Sequence, residues 1–153
     1  MTFLSKKYFP LWCLTFFLVF VAAFFFISKE QYLLNKIVRI VDMRLFQFQR
    51  YSDKTNESYK FHFFNDSLSI YSYEMEKEEW KVYLNYVYPK GITNDLNNFE
   101  VIFHNGKLIS LNLEGTEKIL QSYFILYFYP KKNKESKKGI IFYTGTGEWR
   151  VLK

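Results

Sequence analysis

Hydrophobic positions follow three successive patterns along the 153-residue chain. The stretch "FPLWCLTFFLVFVAAFFFI", Phe9 to Ile27, has no charged residue and is apolar almost throughout. Its nineteen residues (27 − 9 + 1) make a helix of roughly 28 Å, close to the roughly 30 Å of bilayer hydrocarbon. From Ser28 to Arg50 the apolar residues thin out to Leu34, Ile37, Val41, Leu45 and Phe48, spaced by three and four. That is the stripe of an amphipathic helix, with Lys36, Arg39, Asp42 and Gln49 lying off it. No Gly or Pro interrupts residues 28–50. The pattern therefore predicts one continuous helix over 9–50, a membrane-spanning segment (9–27) followed by an amphipathic one (28–50).

From Ser58 the period becomes two. "SYKFHFF" places Tyr59, Phe61 and Phe63 on one face, Asn65-Asp66 forms a turn, and "SLSIYSY" follows. After the charged turn "EMEKEE", Trp80, Val82, Leu84, Tyr86 and Tyr88 alternate along a further strand that ends at "PKG". "FEVIF", "HNG" and "KLISLNL" read as a hairpin, because Asn-Gly favours the positive φ angles of a tight primed turn. "KILQSYFILYFYP" is apolar on both faces, as a central strand is, and "GIIFYT" and "EWRVL" flank "GTG". Strands follow strands after a single helix. The expectation is an α+β protein in which the amphipathic helix packs across a sheet built as an antiparallel meander over 58–153, behind a basic leader at 1–8.

Flanking charge orients the span. Lys6 and Lys7 precede it, whereas Lys29 is offset by Glu30, so the N-terminus is expected in the cytoplasm and the β domain outside. A cleavable signal peptide fits less well, because "FFFIS" follows the small residues Val21-Ala22-Ala23 and a cut there leaves an apolar stub. A lipoprotein signal fits poorly, since Leu11 and Trp12 precede Cys13. Cys13 is also the only cysteine, so no intramolecular disulfide forms.

The formal net charge of +6 falls to a mild excess, 19 basic (21 − 2) against 15 acidic residues, once Lys6 and Lys7 are set aside. It does not demand an anionic partner. One run stands out: "KKNKESKK" carries Lys131, Lys132, Lys134, Lys137 and Lys138 between two strands. A solvated loop is the plain reading and a weak, salt-sensitive contact to DNA phosphates the sharper one, without aromatics inside the run to stack on bases. His62 and His104 are the only histidines and read as structural or surface residues, not metal ligands. The four carboxylates between Glu74 and Glu79 read as an exposed turn in preference to a calcium site. No phosphate-binding glycine loop, nucleophile elbow or H-E-x-x-H occurs, so neither an enzyme, a cofactor nor a small-molecule substrate is expected.

A basic leader, an apolar helix opening at Phe9, its amphipathic continuation and a small antiparallel domain together resemble the plan of type IV pilins and pseudopilins. "YPKGI" (Tyr88 to Ile92) is similar to the P-x-G-I/V step of the GspH/FimT-like and ComGD-like minor pilins. "FEVIFHNGKLISL" resembles their strand and turn, and "GIIFYTGTGEWRVLK" their closing hairpin. The resemblance implies a minor structural subunit of a competence or type IV pilus, or of a type II secretion-like machine. Its helix would associate with other pilin-like subunits in the membrane and its function would support DNA uptake. A degenerate prepilin processing site is then expected between Tyr8 and Phe9. Here the chain departs from the family: Tyr8 stands for the usual glycine, and Cys13 for the glutamate that pairs with a neighbouring subunit's terminal amine. The alternative is a single-pass membrane protein with an external β-rich binding domain unrelated to pili.

Overall fold

The computed structural model describes residues 4–113, 123–143 and 146–152. Among these residues are one helix, α1 (Leu4–Thr55), and nine strands that follow it. The chain divides after Tyr32 into two compact units. In the first, the helix carries large exposed apolar side chains, including Trp12, Phe16, Phe17, Phe20, Phe24 and Phe25. Exposed Cys13 lies among them. By length and composition this is a segment that can cross a membrane.

In the second unit, the amphipathic stripe behaves as its spacing predicts. Leu34, Ile37, Val41 and Leu45 are completely buried and Phe48 almost so, and Val38 joins them. The helix runs past the expected Arg50 to Thr55, because nothing breaks it until Asn56 adopts φ +60° and its amide bonds back to Ser52 O at 3.1 Å. A left-handed residue just past the last turn is a common helix stop, and Asn tolerates that conformation better than most residues.

The strands form two antiparallel sheets instead of the single meander the pattern suggests. One has the order β3 (Glu79–Val87), β2 (Ser67–Glu74), β1 (Ser58–Phe63), β5 (Phe99–His104), β6 (Lys107–Leu113). The other has the order β4 (Ile92–Asn94), β7 (Tyr123–Pro130), β8 (Lys138–Tyr143), β9 (Trp149–Val151). The chain leaves the first sheet at Val87, contributes the three-residue β4 to the second, and returns as β5 beside β1. Three residues are too few to show a period, so β4 is invisible to pattern reading.

Tyr59, Phe61 and Phe63 of β1 are buried, as the predicted alternation requires, and Phe99, Val101 and Phe103 of β5 are buried beside them. Helix and sheet meet where Phe48 packs edge-on against Tyr59 and Phe61, with ring centroids 5.0 and 5.8 Å apart. The two sheets meet through Phe142, which contacts Phe63 and Phe99 at 6.4 and 5.6 Å. Asn94, 2% exposed, stitches the junction. Its Nδ2 donates to Phe64 O (2.6 Å) and to the Tyr88 hydroxyl (3.2 Å), and its Oδ1 accepts from the Leu96 amide at 3.0 Å. Burial pushes the Tyr88 phenol well above its ordinary pKa.

One expectation about faces is corrected. Trp80, Val82, Leu84, Tyr86 and Tyr88 do not share one face, because a bulge shifts the β2–β3 register between Ile70 and Tyr71. Ile70 faces Leu84 but Tyr71 faces Val82, so Tyr83 is the extra residue and Trp80 and Val82 move to the face opposite Leu84 and Tyr86. Asp42 and Gln49 lie off the apolar stripe and dock the helix through hydrogen bonds. Asp42 Oδ1 accepts from Trp149 Nε1 at 3.0 Å, and Gln49 Nε2 donates to Gly106 O at 2.9 Å.

Candidate functional site

The predicted lysine run forms the connection between β7 and β8. Its backbone is tied down: the Lys131 amide donates to Gly91 O at 2.8 Å, and the Asn133 amide to Pro130 O at 3.0 Å. Lys131, Lys132, Lys134 and Lys137 are exposed and Lys138 is half-buried at the start of β8.

The structure adds what the run itself lacks. In β7 and β8, Leu126, Phe128, Ile140 and Phe142 point inward, which leaves Tyr127, Tyr129, Ile141 and Tyr143 on the opposite face. Lys134 and Lys137 come back over this face, whereas Lys138, opposite the inward-pointing Phe128, lies on the other side of the sheet near Val38 and Asp42 of the helix. Lys137 Nζ lies 4.3 Å from the centre of the Tyr127 ring, and Lys134 Nζ 5.9 Å from that of Tyr129. From β9, where Arg150 pairs with Ile141, the guanidinium lies 5.9 Å from the Tyr143 ring.

Gly139 makes room for this arrangement. It sits opposite Tyr127 in the register, and a side chain there would come within 2.9 Å of the Tyr127 ring. The ring occupies the space a side chain would need, which places it under the Lys137 ammonium. Each cation–ring contact at such an exposed site is worth about 0.5–1 kcal/mol and limits the freedom of a long side chain that otherwise loses entropy on binding.

Among the described residues, acidic groups near this face are few. Glu135 lies in the loop, Glu148 is 3.9 Å from Arg150, and Asp95 supports the back of β7 by accepting from the Tyr127 amide at 2.8 Å. Burial raises the Asp95 pKa, opposed by its bonds to backbone amides and by Lys137. An open, cationic, tyrosine-backed surface of this kind suits the phosphates of a polyanion. The ring faces are partly taken by the cations, so the rings serve first to position charge and only secondarily to stack.

The run itself carries no aromatics, as its sequence reads; those beside it come from neighbouring strands. The signal was present as the period-two tyrosines of "YFILYFYP", which lose their identity when that segment is read simply as apolar on both faces.

The remaining singled-out residues do not converge on this surface. Tyr8 and Phe9 lie in α1, and their side chains are outside the described residues, as is Gly145 of the GTG turn. His62 stacks on Phe64 (4.1 Å) with Nδ1 3.5 Å from Glu100, while its Nε2 is buried without a hydrogen-bond partner. His104 Nδ1 lies 2.9 Å from the Ser58 hydroxyl. The Glu74–Glu79 segment turns β2 into β3, with Lys77 bridging Glu74 at 3.2 Å. Among the described residues no group of three His, Cys, Asp or Glu side chains is placed to hold a metal ion.

Compared with known protein families, curated proteins and solved structures, the chain matches none.

Proposed function

We propose that this protein is a pilin-like structural subunit, similar to the ComGD-like minor pilins, that supports pilus assembly and DNA uptake from the cell membrane. The observation that carries this reading is the division of labour along α1. Exposed apolar side chains from Trp12 to Phe25 precede, in the same helix, the stripe Leu34–Phe48 that is buried under antiparallel sheets. A helix apolar on all sides at one end and on one side at the other suits a subunit held in lipid with its domain in water. In this reading the N-terminus is cytoplasmic, the β domain is outside the cell, and the helix associates with other pilin-like chains.

The lysine–tyrosine face then holds DNA by its phosphates, without sequence preference and with strong salt dependence. Purification from the native membrane tests the main reading. Co-purification of other short chains led by an apolar, Phe-initiated helix supports it, and a solitary monomer in detergent overturns it. For the DNA contact, changing Lys131, Lys132, Lys134, Lys137 and Lys138 to Ser is expected to lower DNA retention at low salt with an unchanged melting temperature. Undiminished retention removes the DNA role.

A second reading is favoured by one observation. Cys13, exposed on the apolar segment, takes the position where the pilin pattern has its registering glutamate. A single-pass protein that does not enter a filament has no need of that charge, and its β domain would then serve another binding partner.

A further inference from the structure

Beside the C-terminal end of α1 lies an open cleft of about 650 Å³. It is bounded by the last residues of the helix, the start of β1, and the β2–β3 hairpin. The lysine loop instead follows the end of β7 that pairs with β4, beside the Asn65 turn at the far end of β1. The two surfaces are therefore separate sites on the same domain.

Three features give the cleft a definite chemistry. First, its wall is aromatic. Tyr59 and Tyr83 stand at 89° with centroids 6.3 Å apart, forming a corner in which Tyr83 is 57% exposed and Tyr59, at 4%, is the buried backing. Second, Tyr83 is there because of the bulge in β3: as the extra residue it turns to the helix side, where it also meets Phe48 edge-on at 5.3 Å. Bulges commonly re-aim a side chain beside a binding site. Third, the charge is negative. Among the described residues, Glu57, Glu74 and Glu76 line the cleft with one cation, Lys81; Lys77 pairs with Glu74 at 3.2 Å, and the C-terminal end of α1 adds its partial negative charge. Glu57 accepts from the Tyr59 hydroxyl at 2.6 Å, and burial together with that carboxylate raises the Tyr59 pKa to about 12.

We propose that this cleft binds an organic ammonium group, its charge facing the carboxylates and its methyl or methylene groups against Tyr83. The perpendicular rings favour a cation with an apolar surface over a bare metal ion, which is better served by converging oxygens. The volume lies within the range of small-ligand sites, and the exposure of the corner to water sets an affinity in the low-millimolar range.

The test is a titration of the full chain in maltoside micelles, followed by isothermal calorimetry and by ligand proton NMR. The probes are choline chloride, Nα-acetyl-lysine amide, the neutral choline isostere 3,3-dimethylbutanol, and sodium chloride as an ionic control. The ammonium compounds are expected to saturate and dimethylbutanol to bind about tenfold more weakly. Tighter binding of choline assigns the site to a quaternary ammonium ligand, and tighter binding of the lysine amide assigns it to a lysine side chain of a partner. Glu76→Gln and Tyr83→Leu are expected to weaken binding by about tenfold each, Glu76→Gln with an unchanged melting temperature. Equal binding of the neutral isostere, no saturation by either ammonium compound, or full binding by both variants overturns the proposal.

Discussion

Asp95, an exposed residue whose carboxylate is partly desolvated beside β7, ties the candidate surface to stability. Its Oδ1 holds the Tyr127 amide at 2.8 Å, behind the ring that carries Lys137. Burial raises its pKa above the ordinary 3.8, so the folded protein holds this proton more tightly than the unfolded chain. Stability from this group is therefore lost as the pH rises through the interval between 3.8 and the folded value, and the cost is fully present above it. Asp95→Asn keeps an oxygen acceptor for the Tyr127 amide and removes the ionisation. The expected outcome, by urea unfolding at several pH values, is a variant at least as stable as the parent at pH 7 that lacks Asp95's contribution to the pH dependence in the acid range. At the same scale, pattern reading could see that Lys131 to Lys138 are clustered cations but not that Tyr127, Tyr129 and Tyr143 lie beneath Lys137, Lys134 and Arg150. A contact between residues of different strands depends on register, which no local window contains. His62 is similar: its place in β1 is plain from the alternation, whereas its stacking on Phe64 and its unpartnered Nε2 follow from packing.

Among the elements, the β5–β6 hairpin is the most fully anticipated and also the most tightly held. Asn105 and Gly106 take φ +50° and +69°, as an Asn-Gly turn requires. The turn is then pressed against α1: the Gly106 amide donates to Ser52 Oγ at 3.2 Å, its carbonyl accepts from Gln49, and a Cβ on Gly106 would lie 2.9 Å from Asp53 Cβ. Gly91, in the "PKG" turn, has φ +91°, but a Cβ added there would meet nothing within 4 Å. Gly106→Ala is thus expected to cost about 2–3 kcal/mol, from strain and from displacement of the helix. Gly91→Ala should cost only about 1 kcal/mol, from strain alone. Chemical denaturation of the two variants compares them directly, and equal losses would show that the turn does not depend on its contact with α1. The helix itself was legible from Phe9 to Phe48 because its two apolar patterns are long and unbroken. The β3 alternation misled because one inserted residue, Tyr83, reverses every face before it.

For the second unit as a whole, the question is whether two sheets and the end of α1 behave as one folding unit. Phe48 reaches Phe61, Phe61 reaches Phe103 (5.7 Å), and Phe63 and Phe99 reach Phe142 across the sheets. Phe103 in turn meets Trp149 (5.6 Å), whose indole bonds to Asp42 of the helix. The aromatic contacts thus form a circuit through every layer, and the domain is expected to unfold in one transition. Phe142→Ala should cost about 3–5 kcal/mol and shift the far-UV circular dichroism and tryptophan fluorescence curves together. Separate shifts would show that the β7–β9 sheet melts on its own.

Local spacing alone was enough to define the long helix, its apolar and amphipathic halves, the strand-rich remainder and the Asn-Gly hairpin. Each of these follows from the side-chain pattern within one segment or from the φ preference of one or two residues. Packing between segments was needed to divide the strands into two sheets, to pair β5 with β1, and to dock the helix through Asp42 and Gln49. It also chose which rings meet Lys134 and Lys137, and let the β3 bulge bring Tyr83 to Glu57 and Tyr59. These features depend on contacts between segments far apart in the chain, where many pairings satisfy the same local alternation and the closest packing of Phe61, Phe63, Phe99 and Phe142 selects among them.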